Sequence, residues 1–181
     1  MQFTDYNNGI FTVDNFFSKE ECLYWIQKSE AIGYEEAQVT MGRKQVMRKD
    51  IRNNQRVIYD NEELAASLWE RIQPFVPQET HLGRACGLNE RWRFYKYHPG
   101  QEFKPHQDGS FIRSFYEWSS YTFMVYLNEE MQGGATKFTQ QSIQPATGKA
   151  LVFKHELLHQ GCPLTAGVKY VLRTDIMYRR K

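Results

Sequence analysis

The sequence predicts an α+β fold that is mainly β, in which two early helices buttress a sheet built from a later run of short strands. Three observations carry this. Two helix-start patterns lie in the first 75 residues, at Ser18 and Asp60. From residue 90 onward, runs rich in β-branched and aromatic residues alternate with turn-forming ones: RWRFYKY, SYTFMVYL, ATKFT, ALVFK and KYVLRTDIMY. Aromatic residues make up 15% of the chain, which favours pleated, half-buried surfaces. Many short strands at this spacing close as a sandwich, a barrel or a jelly roll.

The elements follow in order. GIFTVDNFF predicts a strand over 10–14. Ser18 with Glu21 three residues later is a capping-box pattern, so a helix over 19–31 follows, and Gly33 suits its end. Residues 36–59 are polar and basic with some alternation and read as strand or ordered loop. Asp60 and Glu63 form a second capping-box pattern. Ala65, Leu68, Trp69 and Ile72 recur at helical spacing, which predicts a helix over 61–74. Beyond residue 90 the strands are punctuated by HPGQ, the Gly133-Gly134 pair, PATGK and TAGV. Trp92 and Trp118 read as core or rim, and Arg179-Arg180-Lys181 as a frayed tail.

Composition bounds the function. A chain of 181 residues is one ordinary domain, which buries roughly 70% of its unfolded surface and needs no covalent staple. We expect a single domain over 1–181, with helical support over about 1–85 and a β core over about 86–181. The net charge of +2 is too mild to point to a nucleic-acid partner. Cys22, Cys86 and Cys162 are dispersed, with no CxxC pair, so neither a disulfide framework nor a cysteine-rich zinc site is expected. No secretory signal and no membrane-spanning apolar run is visible, and a reducing, cytoplasmic location is the expectation.

The chemistry centres on His106-Gln107-Asp108. At a strand edge, residues i and i+2 point to one side, so this imidazole and carboxylate can converge on one metal ion. His159, after the apolar run ALVF, is a candidate third ligand. Two imidazoles and one carboxylate form the facial triad that holds non-haem iron(II) and leaves positions open for substrates.

The surroundings sharpen this. Tyr97-His-Pro-Gly100-Gln-Glu-Phe103-Lys-Pro-His106-Gln-Asp108 resembles the prolyl 4-hydroxylase family of Fe(II)/2-oxoglutarate dioxygenases. So do Thr122-Phe-Met-Val-Tyr126-Leu127, Gly133-Gly134-Ala-Thr136-Lys-Phe138 and His159-Gln-Gly-Cys-Pro163 through Lys169, in the same order and spacing. The resemblance implies a double-stranded β-helix, a jelly roll of two facing sheets with the N-terminal helices packed on one of them. It implies that His106, Asp108 and His159 bind Fe(II). It also implies that Lys169 pairs with the distal carboxylate of 2-oxoglutarate, with Tyr97 and Thr122 donating to that carboxylate. A buried carboxylate needs such a cation and donors.

Arg173 is the alternative anchor. It shares the strand parity of Lys169, but lies about 13 Å further along, so the two cannot do one job. It can instead pair with Asp175 or contact substrate. Phe103 stands where collagen-type enzymes carry Tyr, which weakens the case for a peptidyl-proline substrate. The implied cofactors are Fe(II), 2-oxoglutarate and O2, with ascorbate as a possible addition. The implied reaction hydroxylates an unactivated C–H bond of a protein residue such as proline and releases succinate and carbon dioxide. A peptide or small-molecule partner, and no membrane, is expected. The same chemistry on a free amino acid, a small metabolite or an alkylated nucleobase stays open. So does a catalytically silent jelly-roll binding module, although four matched polar groups argue against it.

One motif points elsewhere. His155-Glu156-Leu-Leu-His159 matches HExxH, the zinc-protease signature, which needs a helix to bring both imidazoles to one face. ALVF before it and Gly161 and Pro163 after it predict extended chain, and no Glu or His follows His159 to supply a third ligand. His155 and Glu156 therefore read as turn residues. The basic segment Arg43, Lys44, Arg48, Lys49, Arg52 and Arg56 reads as a solvated face, ahead of a contact surface for an anionic substrate. Ser110, Phe111 and Arg113 read equally as rim of the substrate entrance or as a lid.

Overall fold

The computed structural model describes residues 1–41 and 44–181. Helix α1 spans Lys19–Ile32 and begins at the predicted capping box. Ser18 Oγ accepts from the Glu21 N–H, and the Glu21 carboxylate accepts from the Ser18 N–H. Two donors that a helix start leaves unpaired are thereby satisfied. Helix α2 spans Glu62–Ile72, and its cap is Asn61 rather than Asp60. Asn61 Oδ1 accepts from the Leu64 N–H at 2.6 Å. Asp60 instead ends the strand Gln55–Asp60 and pairs with Arg91 on the neighbouring strand at 3.0 Å. Asp and Asn cap helices about equally well, so the residue pattern alone leaves the register free by one.

Among the described residues, a large antiparallel sheet runs in the order 2–5, 10–14, 150–154, 117–126, 169–180, 91–97, 55–60, 35–36, with 112–114 and 83–88 pairing off this path. A smaller sheet runs in the order 142–143, 136–138, 159–161, 103–106. The two are the facing sheets of a jelly roll.

Side chains alternate across the large sheet with period two. In the strand Lys169–Arg180, Leu172, Ile176 and Tyr178 join the core beneath the helices, which also holds Trp92, Phe94, Phe123 and Val125. From α1 that core takes Cys22, and from α2 it takes Ala65, Leu68 and Ile72. Each fully buried Leu or Ile contributes about 1.5–3 kcal/mol, enough to pin a helix against a sheet. The opposite parity faces the small sheet: Tyr95, Tyr97, Met124, Tyr126, Phe153 and Val171 pack with Phe138 in a second core. Lys169, Arg173 and Asp175 share that parity. The sheet therefore presents an apolar face to the helices and a face bearing charge to the jelly-roll interior.

The expected division near residue 85 is too sharp. The strands 2–5, 10–14, 35–36 and 55–60 all add to the large sheet, so the N-terminal half supplies sheet as well as support. The C-terminus is not a frayed tail either. Its strand runs to Arg180, Arg179 pairs with Glu117 at 2.9 Å and Lys181 with Glu79 at 2.8 Å. No helix among the described residues is long and apolar enough to cross a membrane.

Candidate metal centre and active site

His106 closes the strand Phe103–His106 and His159 opens the strand His159–Gly161, and the two are register partners in the small sheet. Asp108 lies two residues beyond its strand. Its N–H donates to the His155 carbonyl at 3.1 Å, and the Gln107 amide donates to the Glu156 carbonyl at 2.6 Å. The His155-Glu156 turn, which mimics half of a protease motif, thus anchors the H-x-D triplet through its backbone. The imidazole and carboxylate atoms of His106, Asp108 and His159 lie within 4.8 Å of one another. His106 Nε2 is 3.7 Å from Asp108 Oδ1, and His159 Nε2 is 3.7 Å from Asp108 Oδ2.

Each group is held in the state a metal requires. The Nδ1 atoms of His106 and His159 sit 2.7 Å and 3.0 Å from the carbonyls of Lys104 and Leu157, so Nδ1 carries the hydrogen and Nε2 is left as ligand. Burial keeps both rings neutral, lowering His106 to about 4 and His159 below its ordinary value. Burial acts to raise the Asp108 carboxyl, but Arg173 and the two imidazoles overrule it and hold the group well below the usual carboxylate range. Thr122 Oγ1 donates to Asp108 Oδ2 at 2.5 Å, and Arg173 Nη2 lies 3.1 Å from the same oxygen, which leaves Oδ1 free. Metal bonds of about 2 Å place neighbouring ligand atoms about 3 Å apart, so this cluster needs only small shifts to take an ion.

Lys169 is the second feature. It is 3% exposed and opens the strand Lys169–Arg180 opposite Tyr97. Its Nζ donates to the Gly134 carbonyl at 2.5 Å and lies 5.2 Å and 5.3 Å from the ring centres of Tyr97 and Tyr126. No carboxylate among the described residues pairs with it, and burial pushes its ammonium down to about 8. A Cβ at Gly134 would stand 3.1 Å from Lys169 Cδ, and one at Gly133 2.4 Å from the Pro163 carbonyl, both at positive φ. The glycine pair therefore lets the chain pass close enough for its carbonyl to receive this ammonium. A cavity of about 50 Å³ joins Lys169 to the triad, and Tyr97 and Thr136 line it.

Thr122 is engaged otherwise than the resemblance implies, and Arg173 takes the pairing with Asp175 that the sequence left open to it. The Thr122 hydroxyl gives its proton to Asp108 and accepts from Arg173 at 3.1 Å, so it has none for a co-substrate carboxylate. Arg173 also pairs with Asp175 at 3.1 Å. Both residues hold a ligand of the triad. Arg113 turns away from the cleft to Glu90 and Glu117. Arg43 and the side chain of Lys44 lie outside the described residues. The solvated-face reading fits Arg48, paired with Asp50 at 2.7 Å, and Lys49, paired with Glu36. It fails for Arg52, which is 5% exposed.

Sequence reasoning misses Tyr95, Arg93 and Asp175 as parts of the site. Burial acts to raise the Tyr95 phenol, but Arg52, Arg173 and Arg93 bring it down to about 7. Their signal is parity alone: 93, 95 and 97 alternate toward the site, as do 169, 171, 173 and 175.

His155 stays outside the triad. Its Nε2 lies 3.5 Å from Asp175 Oδ1. We expect His159→Ala to weaken Fe(II) binding by about 100-fold or more, and His155→Ala by less than about tenfold, because it removes no ligand. Equal losses in an anaerobic metal titration would restore the HExxH reading.

Comparison with known proteins agrees with this geometry. Residues 92–174, which contain the whole triad and Lys169, match the model of the 2OG-Fe(II) oxygenase superfamily. No curated protein matches the chain. Among solved structures, the fold is similar to a viral collagen prolyl hydroxylase from Paramecium Bursaria Chlorella virus-1 in complex with 2OG. There the TM-score is 0.68 at 22% identity, covering 94% of this chain and 97% of that one. A Pseudomonas putida prolyl-4-hydroxylase gives 0.70 at 19% identity, covering 97% and 94%. A Trichoplax adhaerens prolyl hydroxylase, in complex with a hypoxia inducible factor peptide fragment, gives 0.71 at 17% identity, covering 96% and 84%. The triad thus lies inside the segment that matches the 2OG-Fe(II) oxygenase superfamily, within a fold similar to that of these prolyl hydroxylases.

Proposed function

We propose that this single-domain chain hydroxylates an unactivated C–H bond of a protein residue such as proline. The observation that carries the reading is a buried ammonium with no carboxylate partner among the described residues, Lys169, next to two neutral imidazoles and a buried carboxylate. The fold shared with three prolyl hydroxylases supports the substrate class. Fe(II) and 2-oxoglutarate, when bound, supply the oxidative chemistry, in which O2 is consumed and succinate and carbon dioxide are released. His106, Asp108 and His159 hold the iron through Nε2, Oδ1 and Nε2. Lys169 takes the distal carboxylate of 2-oxoglutarate, with Tyr97 beside it. Thr122 and Arg173 fix the Asp108 carboxylate so that one oxygen is presented to the metal. Ascorbate serves as a reductant that keeps the iron ferrous. The three unpaired cysteines fit a reducing, cytoplasmic compartment.

Lys169 also sets a pH dependence. It binds the co-substrate only when protonated, and burial lowers it to about 8. Below that pH the free protein is already charged and 2-oxoglutarate affinity is flat. Above it, affinity is expected to fall about tenfold per pH unit, which an anaerobic titration across pH 6–10 would show.

The reading is tested by incubating the Fe(II)-loaded protein with 2-oxoglutarate and panels of proline-containing peptides and small metabolites. Succinate formed in step with a product gaining one oxygen atom is the expected result. An absence of 2-oxoglutarate consumption under every condition would overturn it.

A further inference from the structure

Beside the triad opens a cleft of about 540 Å³, lined by the guanidiniums of Arg52, Arg56, Arg93 and Arg173 and the carboxylates of Asp108 and Asp175. Two of the four cations are matched. Arg93 reaches Asp175 at 3.4 Å, and Arg173 reaches both carboxylates at 3.1 Å. Arg52 and Arg56 form no ion pair with a carboxylate among the described residues. Glu35, the register partner of Arg56, is exposed and does not line the cleft.

Arg52 is built into position. Its guanidinium lies between the rings of Tyr95 and Phe103, at 4.3 Å and 4.5 Å from their centres, and Phe103 stacks in turn on His106 at 3.5 Å. Its Nε donates to Asn54 Oδ1 at 2.6 Å. Its Nη2 is buried without a hydrogen-bond partner. An unmade hydrogen bond is costlier on a buried charged group than on a neutral one, so such a group calls for a partner supplied from outside. A planar fork fixed by two rings is suited to a carboxylate or phosphate oxygen pair.

We propose that the cleft takes a substrate bearing an oxyanion, a carboxylate or a phosphate, which Arg52 and Arg56 hold two stacked layers from the iron ligand His106. The inference rests on the oxygenase reading above and narrows its substrate: the hydroxylated residue carries the anion or adjoins it.

The test uses Fe(II)-loaded, oxygen-free protein with 2-oxoglutarate bound. Its thermal midpoint is followed in acetate, methyl phosphate, acetamide and chloride at constant ionic strength, since a ligand of the folded state raises that midpoint by mass action. The expected result is a saturable rise with acetate or methyl phosphate and none with acetamide or chloride. The larger response identifies a carboxylate or a phosphorylated substrate. Arg52→Gln should weaken the anion by tenfold to a hundredfold, and Arg56→Gln, at the half-buried rim, by less. The charge-transfer band of the Fe(II)–2-oxoglutarate chelate is titrated in parallel. No band in the wild-type protein would sink the oxygenase reading itself. With the band present, three results would overturn the proposal: no anion response, a response that survives Arg52→Gln, or a loss of anion and 2-oxoglutarate in equal measure, which would assign Arg52 to the co-substrate. Should Arg52→Gln fail to fold, the wild-type and Arg56→Gln responses decide.

Discussion

Asp108→Ala is expected to abolish Fe(II)-dependent consumption of 2-oxoglutarate, a loss on the order of 100-fold or more in turnover at saturating metal. Asp108 is the one anionic member of the triad, and it lies between both imidazoles, 3.7 Å from each. The fold tolerates its removal better than its burial suggests. Leaving a buried charge unpaired costs about 3–5 kcal/mol, but Arg173 keeps Asp175 at 3.1 Å. The variant should therefore fold, with a thermal midpoint lowered by less than complete loss of the pair would cause. Asp108→Asn keeps an acceptor for Thr122 and should fold better while remaining inactive. Full turnover in either variant would remove the metal assignment.

Lys169→Met should raise the apparent KM for 2-oxoglutarate about tenfold to a hundredfold, the value of a charge-assisted hydrogen bond of about 1.5–3 kcal/mol, and leave iron affinity nearly unchanged. It should also stabilise the protein in the absence of co-substrate, an effect that a merely structural lysine would not give. The folded-state value of about 8 lies below the ordinary 10.5. The unfolded chain therefore binds the proton more tightly, and the charge destabilises the fold by on the order of 3 kcal/mol at neutral pH. The penalty is complete below about pH 8 and is relieved as pH rises toward 10.5, so the wild-type protein gains stability across that window and Lys169→Met does not. Arg173→Ala provides the contrast. Because Arg173 grips Asp108, Asp175 and Thr122, its loss should weaken iron before it weakens 2-oxoglutarate. If Arg173→Ala lost the co-substrate and Lys169→Met bound it normally, the anchor would lie four residues further along the strand.

The parts of the fold most legible in the sequence are those with local causes. The Ser18 capping box, the helical spacing of Ala65, Leu68 and Ile72, and the β-rich runs after residue 90 each encode their element within a few residues. The triad is legible because H-x-D and a later His recur with a fixed backbone frame. What escapes is what sheet pairing decides. The strand Gly83–Leu88 has two glycines and little β propensity, and it exists because it pairs with the end of the strand Lys169–Arg180. Gln2–Asp5 forms only against Ile10–Asp14. The same holds in the site. Nothing local in RKDIRNNQRV separates the exposed Lys49 from the buried Arg52, because the burial of Arg52 comes from Tyr95 and Phe103, dozens of residues away. The role of Thr122 likewise depends on Asp108 arriving from the loop beyond the strand Phe103–His106.

The most direct test of this account is an anaerobic titration of 2-oxoglutarate into Fe(II)-loaded protein, read by the charge-transfer band of the chelate. The account predicts a band that saturates at one equivalent in the wild type, needs at least about tenfold more 2-oxoglutarate in Lys169→Met, and is absent in Asp108→Ala. A wild-type protein that binds iron but develops no band, or an Asp108→Ala protein that develops it in full, would contradict the account.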